Sequence, residues 1–207
     1  MAEALPRSPD DNNRGGCTAG AWESIAAYSI ANPAARSRSS RLDALCRRRV
    51  PLWTSSSTTP LGLALTVMEL HDEAIVLRSW READARAVYE ACQDAEIQRW
   101  IPVIPRPYTA DHARAFVTAV SEAGGHHLAI VEHGQVVGSI ALRVKANSTG
   151  AIGYWCASGA RGRGVTTRAL RTLCRYALDE LRLERLELIT DLDNRAYLAS
   201  DRSVAAE

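Results

Sequence analysis

Gly150-Ala-Ile-Gly-Tyr-Trp-Cys-Ala-Ser-Gly-Ala-Arg-Gly-Arg-Gly-Val-Thr-Thr167 is the stretch that decides how this chain is read. An apolar run comes first, then a loop of small residues with Arg161 and Arg163, then the first turn of a helix. Strand, glycine loop and helix start in that order make an anion cradle. The loop amides and the positive end of the helix dipole converge on one spot. Gly162 and Gly164 let the backbone approach a ligand with no side chain in between. Arg161 and Arg163 add positive charge beside it.

Two common anion-binding loops are excluded by the letters themselves. Gly159-Ala-Arg-Gly-Arg-Gly164-Val-Thr166 has the glycine spacing of a P-loop, but Val165 stands where that loop needs a lysine for the terminal phosphates. A dinucleotide fingerprint needs a third glycine, and Gly162-Arg-Gly164-Val-Thr-Thr167 ends in threonine. A pyrophosphate bound without nucleotide hydrolysis remains.

Composition narrows the class further. The chain has 207 residues, 46% hydrophobic and 24% charged, as expected of a globular protein. Its net charge of +1 gives no bulk argument for nucleic acid or membrane binding. No run reaches the roughly 18 apolar residues of a membrane helix. Five cysteines, an odd number without C-x-x-C spacing, suggest free thiols in the cytoplasm and neither a disulfide framework nor a zinc site. His126 and His127 are adjacent on a strand and point to opposite faces, so they do not readily share a metal, and none is expected.

Outward from the loop, Leu170, Leu173, Cys174, Ala177, Leu178 and Leu181 repeat with helical period. A strand follows around Leu186–Ile189, then a turn over Asp191–Asn194. Upstream, Leu128–Val131 and Val136–Leu142 flank a turn at His133-Gly134 and predict a hairpin, and Asn147–Gly150 predicts a second turn. A helix capped by Thr109 and Asp111 turns Ala113, Phe116, Val117 and Val120 inward and ends at Gly124-Gly125. Ile97–Pro107 reads as a proline-broken loop whose Trp100, Ile101 and Tyr108 line a pocket or cover the core. Ser79-Trp-Arg-Glu82 has capping-box spacing after a strand at Ile75–Leu77, and opens a helix with Ala87, Val88, Ala91 and Cys92 on one face. Residues 1–67 hold Arg/Ser-rich and Ser/Thr-rich tracts without sustained period, and read as a disordered or weakly ordered extension. The ordered pattern starts near Met68, which is itself a candidate start. Hairpins followed by a strand–helix–strand crossover imply a mixed α/β sheet with helices on its faces.

Arg161-Gly162-Arg163-Gly164 matches the R-G-x-G core of the acyl-CoA motif of the GNAT superfamily of N-acetyltransferases. The segment Ile152–Leu170 resembles the subgroup that acetylates ribosomal-protein N-termini. Leu77-Arg78-x-Trp80, Val137-Gly-Ser-Ile140 and Asp193-Asn194-Arg-Ala196 are also similar to it, in the same order. The resemblance spans about Ile75 to Ala199 and implies a domain over 68–207. It further implies that the strand at Ile152–Trp155 splays from its neighbour and that acetyl-CoA, the acetyl donor, sits in the gap. Trp155, Cys156, Ala157, Arg161, Gly162, Arg163, Gly164, Val165, Thr166 and Asn194 would then form the acetyl-CoA site. The pyrophosphate would be wrapped mainly by backbone amides, and amides near Cys156 would hold the thioester carbonyl. A primary amine, on a protein N-terminus or a small molecule, would attack directly. Cys156 is not needed as a nucleophile. Asn194 and Tyr197 are the catalytic candidates, Tyr197 as proton donor to the leaving thiolate.

The sequence departs from the family in three places. Ala151 stands where relatives often carry an acid, and Tyr197 where they often have serine. After Asn194 the family continues through a short helix and a Gly-Phe turn into further strands, whereas Leu198–Glu207 does not match. The domain therefore reads as truncated at the C-terminus, with a sheet edge left open. A frameshifted copy, a strand-swapped homodimer and a non-catalytic acyl-CoA-binding remnant are the alternatives.

Overall fold

The computed structural model describes residues 68–191 except Gly124, together with residues 193–195 and a strand at Ser37–Arg41. Seven strands form one sheet: β1 Ser37–Arg41, β2 Glu69–His71, β3 Ile75–Ser79, β4 His126–Glu132, β5 Gln135–Lys145, β6 Thr149–Cys156 and β7 Arg185–Asp191. Their spatial order is β1-β7-β6-β5-β4-β3-β2, antiparallel throughout except for the β6–β7 pair. Helices α1 (Ala85–Ala91), α2 (Ala95–Trp100) and α3 (Ala110–Ala123) lie on one face, and α4 (Val165–Asp179) makes the β6-to-β7 crossover on the other.

Alternation divides the core between the two faces. Toward α4, Leu77, Leu128, Ile130, Ile140 and Ile152 meet Ala169, Leu170, Leu173, Cys174 and Ala177. Toward α1–α3, Ala129, Val131 and Trp155 meet Trp80, Val88, Ile97, Phe116 and Val120. The inward residues expected of α3 are buried, as are Leu170, Leu173, Cys174 and Ala177 of the α4 repeat; Leu178 is only partly buried, and Leu181, also partly buried, lies past the end of the helix. The three-residue loop 146–148 has positive φ at Asn147 and Ser148 (61°, 51°), and the two-residue turn His133-Gly134 has it at both residues (49°, 80°). That is the geometry whose twist matches antiparallel strands.

Two local expectations are corrected. Ser79 is not a helix cap. It ends β3, and its Oγ accepts from the Met68 amide at 3.2 Å. The cap lies two residues on, where Asp84 accepts from the Arg81 amide (2.8 Å) and bidentately from Arg78 (2.7 and 2.9 Å). Ile97–Pro107 is not all loop. Asp94 accepts from the amides of Glu96 and Ile97, both at 3.0 Å, and starts α2. The prolines constrain only the residues next to them, so the helix forms and ends before Pro102. Ile101, Ile104 and Tyr108 are buried in the core under α1–α3, which favours covering over pocket lining.

Ser37–Arg41 belong to the segment expected to lack regular structure, and the rest of residues 1–67 lies outside the described residues. The Arg/Ser run has no apolar alternation. Its partner organises it: β7 offers an edge, and Ser37–Arg41 pair with Asp191–Glu187 along it.

Candidate acyl-CoA site

The site begins where β6 and β7 part. Their ladder runs from Thr149–Arg185 to Ile152–Leu188 and stops. Past it, Gly153–Cys156 remain paired with β5, while Ile189–Asp191 pair with β1. The splay expected at Ile152–Trp155 is therefore present.

Ladder geometry settles which peptide edges face the gap. The Ala157 amide donates to the Val137 carbonyl at 2.9 Å. In an antiparallel ladder such pairs alternate with pairs whose peptide groups point away. Counting back along β6, Trp155 faces β5, while Tyr154 and Cys156 turn their peptide edges toward the gap. Gly138 permits this close pairing, since a Cβ there would lie 2.6 Å from the Trp155 carbonyl oxygen.

The loop after β6 is a tight Ser158–Ala160 turn leading to Gly162 and Gly164, whose φ values of 75° and 76° suit glycine. Gly164 is the N-cap of α4. It provides no side-chain cap, and the first turn of α4 contains no acid. The amides opening this helix have no intrahelical acceptor, and no acid of its own first turn offsets the dipole. That combination suits a phosphate.

The arginines are placed differently from the simplest reading. Arg161 donates through Nε to the Cys156 carbonyl (3.2 Å) and through both terminal nitrogens to Asp94 (2.8 and 3.3 Å). Arg163 is bound by Glu132 at 2.6 Å. Val165 is buried and anchors the helix start, Thr166 and Cys156 are half-buried, and Gly162 and Gly164 are exposed. Trp155 packs its ring into the α1–α3 core. Burial pushes the Cys156 thiol up, against the opposing pull of the Thr166 hydroxyl and the two arginines, so it stays protonated near neutrality. Asn194 follows the end of β7 and is half-buried, while Tyr197 lies outside the described residues.

His126 and His127 do face opposite ways. The His126 ring lies 5.5 Å from Tyr176 on α4, and the His127 ring 5.7 Å from Phe116 on α3. Among the described residues no His/Cys/Asp/Glu group could hold a metal, and no helix is long and apolar enough to cross a membrane. An open groove of about 570 Å³ lies at the other end of β6, lined by Lys145, Asn147, Thr149, Glu184, Arg185 and Glu187. There Lys145 and Arg185 are both paired with Glu187.

Three contributors were missed in the sequence: Asp94, Glu132 and the gap-facing edge of Tyr154. Asp94-Ala-Glu-Ile97 is an N-cap signature obscured by the prolines that follow. The partners of Arg161 and Arg163 lie 67 and 31 residues away, so no local pattern announces them.

The profile of the acetyltransferase (GNAT) domain family matches residues 74–199, more than half of the chain. The chain belongs to that family. It is 26% identical over 132 residues to YdaF of Bacillus subtilis (strain 168), a provisionally named ribosomal N-acetyltransferase; the match covers 59% of this chain and 72% of YdaF. Among solved structures, a GNAT-family acetyltransferase from Bacillus anthracis superposes with a TM-score of 0.61 at 21% identity, covering 66% of this chain and 82% of that one. RimL, a ribosomal L7/L12 alpha-N-protein acetyltransferase in complex with coenzyme A, gives 0.55 at 17% identity, covering 66% and 82%.

Proposed function

We propose that this protein is a cytoplasmic N-acetyltransferase that moves the acetyl group of acetyl-CoA to a primary amine, foremost a protein N-terminus. The observation that carries the reading is the splayed β6–β7 gap, lined by peptide edges and ending on the uncapped start of α4. RimL and YdaF support the acceptor class by their names. The amides of Gly162 to Thr166 receive the pyrophosphate, and the domain over 68–207 carries the site. The Cys156 amide, turned to the gap, meets the thioester carbonyl and stabilises the negative charge that develops on its oxygen. The amine attacks the carbonyl carbon directly, the C–S bond breaks, the nitrogen of the new amide gives up one proton to water, and the departing thiolate takes one up. Asn194 and Tyr197, which follow β7 in the chain, are the proposed catalytic residues, Tyr197 as proton donor. Cys156 forms no acyl-enzyme. The free thiols of Cys92, Cys156 and Cys174 agree with a reducing compartment.

The test is incubation with acetyl-CoA and a panel of peptide N-termini and small amines, following free thiol. Thiol release that depends on the amine is expected. A second reading, a non-catalytic acyl-CoA-binding module, is favoured by Ala151 and by the engagement of Asp94 and Glu132 with arginines, which leaves neither carboxylate as a ready base. Binding without turnover across the panel would select it.

A further inference from the structure

Three arginines surround the start of α4, and each is held by a carboxylate from a different element. Asp94, ahead of α2, binds Arg161; Glu132, at the end of β4, binds Arg163; Asp72, between β2 and β3, binds Arg168 at 3.3 Å. The acids are the sheltered partners, with 20%, 13% and 15% of their side chains exposed against 36%, 51% and 44% for the arginines. Partly exposed pairs of this kind add little to folding. Three of them around one helix end are poorly explained as stabilisers.

Asp94 is the most constrained of the acids. Its carboxylate caps α2 through two amides while gripping both terminal nitrogens of Arg161. Arg161 in turn holds the Cys156 carbonyl, and the Ala157 amide on the same peptide is held by Val137. The peptide at the mouth of the gap is thus fixed from both ends. Asp94 cannot follow Arg161 into the site without uncapping α2.

We propose that Asp94 and Glu132 are positioning residues for the acyl-CoA loop. They draw the guanidinium groups of Arg161 and Arg163 sideways and set the loop so that its amides, and not its arginines, face the pyrophosphate. The proposal rests on the acyl-CoA reading above and adds how the loop is made rigid before ligand arrives. If the arginines bound phosphate directly, the two acids would be competitors, and removing them would tighten binding. The positioning role gives the opposite sign.

Calorimetry of CoA binding to the full chain separates the two. Asp94→Asn keeps a side chain that caps as well as aspartate and removes the charge that orients Arg161. The CoA Kd is expected to rise about fivefold from lost preorganisation and a lost charge-assisted pair, with Tm unchanged. Asp94→Glu should recover most of the affinity. The double variant with Arg161→Ala should bind no worse than Arg161→Ala alone, because the acid acts through the arginine. Glu132→Gln provides an independent second case should Asp94→Asn fail to fold. An unchanged or lower Kd in the acid variants overturns the proposal while leaving the acyl-CoA reading intact. Wild-type protein that does not bind CoA overturns that reading, and the positioning role with it.

Discussion

Arg78 and Asp84 form a bidentate ion pair with only 8% of either side chain exposed. Burial alone would raise the Asp84 carboxyl, but Arg78 and the Arg81 amide outweigh it and hold it below the usual range. Removing one partner strands a buried charge, so Asp84→Asn should lower stability by about 3 kcal/mol, measurable by urea unfolding. This pair accounts for Arg78 in the Leu77-Arg78-x-Trp80 motif; that an acid-bearing helix follows was visible in the sequence, but not that Asp84 is the acid that answers it. His127 provides a pH handle. Burial pushes its imidazole down from 6.5 to about 4, so the unfolded chain takes up a proton that the folded one refuses. Stability therefore falls as pH drops from 6.5 toward 4. Asp84 loses its contribution in the same direction, only as pH falls through its lowered value. His127→Phe should flatten the part of the slope between pH 6.5 and 4 in a series of unfolding curves. At Cys156 burial keeps the thiol protonated, so Cys156→Ala should retain amine-dependent thiol release within a few-fold. Turnover abolished by that change alone would point to an acyl-enzyme.

Elements were legible where their period was strong and local. The inward faces of α3 and α4 and both hairpins could be read because each is coded within a few consecutive turns or strand pairs. The short α2 was hidden by its prolines. The pairing of β1 with β7 was hidden more deeply, since strand partners more than a hundred residues apart leave no periodic trace in an Arg/Ser run. That pairing has a consequence for the gap. Beyond Leu188, β7 has no ladder with β6, and β1 is the strand that pairs with its last three residues. Removing residues 1–67 should therefore lower Tm and weaken CoA binding, and an unchanged Tm would mean that 68–207 stands alone. Gly164, at φ 76°, opens α4 in a conformation that a Cβ disfavours. Gly164→Ala should cost about 1 kcal/mol of stability and loosen CoA binding, read by thermal unfolding and calorimetry.

At the scale of the whole molecule, one broken ladder organises the rest. The seven strands form one sheet, in which β6 and β7 are paired only from Thr149–Arg185 to Ile152–Leu188, and the crossover helix α4 starts on the side where that ladder ends. The order of elements could be read from the chain because hairpins and a single parallel crossover leave few alternatives. The ring of carboxylates around the glycine loop could not, because each acid comes from an element distant in sequence. Both arginines of R-G-x-G are thereby paired within the protein, and the proposed anion site is left to amides and a helix dipole. The most direct test of the central claim is isothermal calorimetry of acetyl-CoA against the full-length protein. One-to-one binding with a Kd on the order of 1–100 μM, within the span common to enzyme co-substrates, is predicted, and it should be competed by CoA. No heat of binding up to millimolar acetyl-CoA would contradict it.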